Sequence, residues 1–144
     1  MTPDNARFLI GALLIVHGLG HGGAIGALLW VRVNPGTATG GWLAAKSWLF
    51  PALEAPAATN IAMAFWTLAM LGFLVAALSF LGIAVSPEVW RPLAVGSSLV
   101  SLVGMLVFYG TWPVFNTLAS LAVNLGVLVT QLVTRWPPQE LLGR

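Results

Sequence analysis

The sequence predicts an all-α protein, a four-helix transmembrane bundle, and three observations carry that prediction. The chain of 144 residues is 58% hydrophobic and 7% charged, with a mean hydropathy of +0.92, whereas soluble domains are about 25% charged. Its six basic and four acidic side chains all fall outside four apolar segments, residues 8–31, 60–85, 92–109 and 114–133. Each segment is close to or above the roughly 20 helical residues that cross a hydrocarbon core. Hydrocarbon offers no hydrogen bonds to the backbone, so such segments have to be helices. Residues 1–144 therefore read as one integral membrane domain.

The first span must be weighed against a secretory signal, since Arg7 precedes it and small residues stand at Ala24 and Ala27. Its apolar run is longer than a signal core of about 7 to 15 residues and contains two histidines, which favours an uncleaved helix. The connection that follows, residues 34–59, is the only long one, and loops of that length usually carry structure or function. Within it residues 41–50 suit a short interfacial helix with Trp42, Leu49 and Phe50 inward and Lys46 toward the headgroups, or else a re-entrant cap over the bundle. Residues 51–56, bounded by two prolines, predict a stiff non-helical approach to the second span, with Thr59 or Asn60 as its N-cap. The remaining links, residues 86–92 and 110–113, are short and imply neighbouring antiparallel helices. No internal repeat or low-complexity stretch is present.

Four spans put both termini on one side. That side collects Arg7, Arg91, Arg135 and Arg144, against Arg32 and Lys46 on the other. The positive-inside rule then predicts that both ends are cytoplasmic. Tryptophan favours the headgroup level, and Trp90, Trp136, Trp30 and Trp112 fall at predicted span ends while Trp66 alone falls inside one. The basic residues form no run, which argues against nucleic acid as a partner and leaves membrane lipid as the surrounding one. The absence of cysteine excludes disulfides and thiolate metal sites.

Within the first span stands His17-Gly-Leu-Gly-His21. An ionisable side chain at bilayer depth is costly and marks a functional site by default. A rise of 1.5 Å per residue places both imidazoles near the midplane, together with Ser101 of the third span and Asn124 of the fourth. Four-residue spacing puts Ser97 and Ser101, then Tyr109, on one face of the third helix, and Asn116, Ser120 and Asn124, then Gln131, on one face of the fourth. His17, His21, Ser97, Ser101, Ser120 and Asn124 are the candidate ligand-binding set. The same residues read alternatively as packing hydrogen bonds between helices, worth roughly 0.6 kcal/mol each on average.

Beside the histidines run Gly18, Gly22 and Gly26, with Gly11 before them. This small-xxx-small pattern predicts a close helix contact, either within the bundle or with a second copy.

The chemistry open to the pair is limited. His17 and His21 offer two ligands for a metal, whereas zinc normally takes three or four from the protein; Met63, Met70 and Met105 suit copper(I). A haem or chlorophyll-like pigment would find an axial imidazole here, with the second histidine of a bis-His haem coming only from another copy. No acid lies in the spans, so no Ser/His/Asp set, paired carboxylates or phosphate-cradling loop can be assembled and no catalytic constellation emerges.

In its size, layout and His-Gly-Leu-Gly-His run, the chain resembles small bacterial inner-membrane proteins of four helices that carry such a motif in the first helix. It is similar in architecture alone to the DoxX-like and emopamil-binding-protein-like families, whose charged site residues it lacks. The leading expectation is a histidine-centred polar pocket for a small apolar ligand, cofactor or proton. The alternative is a non-catalytic accessory subunit, or a homo-oligomer, packing through the glycine face.

Overall fold

The computed structural model describes residues 2–37 and 39–138. It is an up-and-down bundle of α1 (Pro3–Val33), α2 (Ala55–Leu81), α3 (Trp90–Val107) and α4 (Val114–Val129). A 3-10 turn at Pro87–Val89 leads into α3, and a π-helical turn at Thr130–Thr134 extends α4. With these extensions all four helices are long and apolar enough to cross a bilayer.

The helix ends differ from the apolar segments for local reasons. α1 begins at Pro3, ahead of the apolar run, because the Thr2 hydroxyl accepts the Asn5 N–H at 3.3 Å and Pro3 and Asp4 occupy the first turn. Proline there forfeits no hydrogen bond, and an acidic group favours the positive end of the helix dipole. α2 begins at Ala55 with Pro56 in its first turn and Glu54 at the cap position, so residues 55 and 56 are helical and neither Thr59 nor Asn60 caps the helix. α2 stops at Leu81 rather than Val85. Gly82 turns left-handed at φ 73°, and Ile83 N–H returns to Leu78 O at 2.8 Å, a termination that glycine permits without strain. α3 ends at Val107, leaving Tyr109 outside the helix and 59% exposed.

Residues 41–50 form no helix. They run as a strap across the loop end of the bundle, opposite the end where α1 begins. Leu43 N–H donates to Thr111 O at 3.0 Å, Ala45 N–H to the Thr59 hydroxyl at 3.2 Å, and Trp48 Nε1–H to Leu106 O at 2.6 Å. Backbone donors used in this way are unavailable to a helix. Ala45 is buried and Trp42 packs on Trp112 at 5.7 Å between ring centroids. Leu49 and Phe50, expected inward, are exposed. The interfacial helix is thus replaced by a cap.

α1 packs on α2, α2 on α3 and α3 on α4, whereas α1 and α4 scarcely meet. The α1–α2 contact is the close one. A Cβ at Gly18 would meet Met70 O and Phe73 Cβ at 3.2 Å, one at Gly22 would meet Met70 Sδ at 2.9 Å, and Gly11 faces Leu81. Gly26 is exposed with nothing near it, so the ridge ends one turn earlier than its spacing suggests. The glycine stripe rotates off the α2 contact at that point, and Ala24 and Leu28 carry the contact instead. Gly72 receives Ser97, and Gly104 receives Phe65 and Trp66.

The core has two halves. Trp66, Phe108 and Trp112 fill the loop end with Ala24 and Leu28; Phe73, Phe80 and Trp90 fill the other with Leu14 and Ala94. The histidines lie between them.

Candidate functional site

Three helices and one turn contribute polar groups at the level of the histidines. His17 Nε2 lies 3.2 Å from Asn124 Oδ1, and the Asn124 amide nitrogen donates to Ser101 Oγ at 2.8 Å and to Ser120 Oγ at 3.2 Å. With the amide nitrogen assigned to the two hydroxyls, the amide oxygen faces His17. His17 then donates from Nε2 and keeps Nδ1 as an acceptor. Asn124 and Ser101 are wholly buried. The network ties α1 to α4 across the seam where they otherwise hardly touch.

His21 sits one turn further toward the loop end and is 1% exposed. Neither of its ring nitrogens has a hydrogen-bond partner among the described residues, and the same is true of the buried indole nitrogens of Trp66 and Trp112. Instead these rings form one aromatic cluster. His21 lies 5.4 Å from Trp112 and 6.0 Å from Phe73, Trp112 lies 5.2 Å from Trp66, and His17 meets Phe73 edge-on at 4.6 Å, all between ring centroids. An unsatisfied buried polar group costs about 1–3 kcal/mol. Four such nitrogens in one cluster is a concentration that packing alone does not call for.

Next to the cluster is a chamber of about 230 Å³ between α1 and α4. His17 and His21 line it from α1, Asn116 and Ser120 from α4, and Trp112 from the preceding turn, with Leu13 and Val123 at its floor. No charged side chain lines it. Val16, Gly20, Asn116 and Ala119 around its mouth are exposed, so it opens sideways, toward lipid. The loop end is closed by Trp112 and the strap laid over it.

Of the six residues singled out by depth and spacing, the structure brings together His17, Ser101, Ser120 and Asn124 in one network, with His21 beside it. Ser97 does not join them. Its hydroxyl donates to Leu93 O at 2.7 Å, one turn back on its own helix, and packs into the space left by Gly72. Among the outlying stripe residues, Asn116 reaches the chamber mouth, while Gln131 accepts from Arg91 Nε at 3.1 Å and donates to Trp136 O at 2.7 Å, far from the histidines. Trp112, expected at the headgroup level, is folded inward and 9% exposed. It and Phe73 are the site residues that spacing did not reveal. Trp66, the one tryptophan inside a span, was the available hint.

The donor set bears on the cofactors. Among the described residues no three His, Cys, Asp or Glu side chains gather as a metal site, and His17 Nε2 is already committed to Asn124. His17 and His21 stand on one helix, so a haem or chlorophyll-like macrocycle would find axial imidazoles on one side only. The arrangement suits a small, uncharged group that both donates and accepts hydrogen bonds. Comparison with protein-family models, with curated proteins and with solved structures finds no match to this chain.

Proposed function

We propose that this four-helix membrane protein binds a small, uncharged, lipid-soluble molecule in the chamber between α1 and α4, entering sideways from the bilayer. The observation that carries this reading is the chamber wall, where His17 keeps Nδ1 as an acceptor beside the Ser120 hydroxyl while His21 and Trp112 pack behind it as desolvated rings. A polar group held in that condition is stabilised when a ligand supplies the missing partner. The absence of charge around the chamber selects against phosphate or carboxylate heads, because an anion taken from water into such a site would have no counter-charge. The aromatic walls favour a flat group.

Gentle purification followed by organic extraction and mass spectrometry tests the reading, with an absorption spectrum and metal analysis of the same sample. A neutral small molecule should co-purify with the wild-type protein and be lost from a Ser120→Val, His21→Phe double variant. Identical extracts from both proteins would overturn the proposal.

The reading as an accessory subunit joined through a glycine face is less well supported. α2 already occupies Gly18 and Gly22, which leaves Gly26 alone of the three for a partner.

A further inference from the structure

We infer that the ligand is two-part, with a hydroxyl-type head in the histidine chamber and a single hydrocarbon tail running down the α1/α4 seam; this rests on the function proposed above. A second cavity, of about 370 Å³, lies immediately below the chamber. It is lined chiefly by Ile10, Leu14, Trp90, Ala94, Ala122 and Val127. Leu13 and Val123 line both cavities, so the two abut along the α1/α4 seam, the histidine chamber above and the more apolar cavity below. From His21 to Ile10 the groove follows α1 for roughly 16 Å at 1.5 Å per residue. Its far end meets Thr130 and Gln131, the latter held by Arg91.

The seam has this form because α1 and α4 stand apart. Gly126 lines the lower cavity with nothing near its Cβ position, and Gly20 is equally open in the chamber. Among the described residues, only the His17–Asn124 hydrogen bond crosses between the helices at the level of the histidines. A head that donates and accepts at once, as a phenol or alcohol does, matches the His17 Nδ1 acceptor and the Ser120 hydroxyl in one place. A linear hydrocarbon matches what lies beneath. The tail adds little affinity, since lipid is as apolar as the groove; its contribution is position, and position is what the experiment should read.

The probe is 4-decylphenol carrying a diazirine midway along its tail, photolysed with the purified full-length protein and mapped by peptide mass spectrometry. Labelling is expected at residues 10–14 of α1 and 122–127 of α4, reduced at least tenfold by excess unlabelled 4-decylphenol. Gly126→Leu, which extends a side chain into the lower cavity, should abolish that labelling while leaving intact the thermal stabilisation produced by tailless 4-ethylphenol. If 4-ethylphenol stabilises the protein in a Ser120-dependent manner but the diazirine labels only outward residues such as Phe115 and Leu118, without competition, the tail assignment is wrong and the chamber reading stands. If neither phenol stabilises the protein and no labelling saturates, the chamber reading fails and the tail assignment falls with it.

Discussion

Replacing His21 with phenylalanine should raise the stability of the bundle, an outcome opposite to the one expected of a structural histidine. The ring is buried against Phe73 and Trp112 and makes no hydrogen bond. Phenylalanine keeps the shape and removes two desolvated nitrogens, a gain of about 1–3 kcal/mol if the full penalty is relieved. His17→Phe should do the reverse, since it strands the Asn124 oxygen; a loss of roughly 0.6 to 1.7 kcal/mol is expected for an interhelical polar contact. Thermal unfolding of the two variants in the same detergent separates them. A destabilised His21→Phe would make that histidine ordinary packing. Stability gained at a site by removing its polar group is the usual sign of a residue kept for function. At this scale much was legible in advance: counting residues from the span midpoints brings His17, Ser101 and Asn124 to one level, and they bond there. Depth does not fix rotation about the helix axis, however. Ser97, one turn from Ser101, points its hydroxyl back to Leu93.

Among the elements, the α1–α2 pair rests on missing side chains. Gly18→Leu should therefore cost about 1–3 kcal/mol by overpacking, because its Cβ position already abuts backbone at Met70 as well as Phe73. Gly22→Leu should cost less, as the long Met70 side chain is what it meets and methionine adapts. Gly26→Leu should cost nothing measurable, having open space around it. Thermal midpoints of the three single variants give the order, and equal losses at Gly18 and Gly26 would contradict it. The repeat of four was visible in the sequence; which of its members face α2 was not, because a real helix has 3.6 residues per turn and a fixed spacing of four drifts around its surface. The strap shows a different limit. Residues 41–50 have the composition of an interfacial helix, yet their N–H groups bond to Thr111 and Thr59, partners distant in sequence that no local pattern announces.

For the whole molecule, short links predict which helices neighbour which, and α2, α3 and α4 obey them. The open seam between α1 and α4 was not legible, since α1's glycines are taken up by α2 and nothing in the composition says that the first and last helices stay apart. Charge placement bears on orientation. Arg7 donates to Leu81 O, while Arg91 holds Arg135 O and Pro137 O at 3.1 and 3.3 Å, which gathers three basic residues at the end where α1 starts. Arg32 and Lys46 stand at the strap end, and Arg144 lies outside the described residues. By the positive-inside rule we propose that the Arg7 end is cytoplasmic. The strap would then face the outer side, closing the chamber there and leaving lipid as the route in. A reporter that is active only in the cytoplasm, fused after Arg144, should be active, and the same reporter inserted at the exposed Gly36 should be silent. The reverse pattern would turn the molecule over and put the strap, with Trp42 and Trp112 beneath it, at the cytoplasmic face.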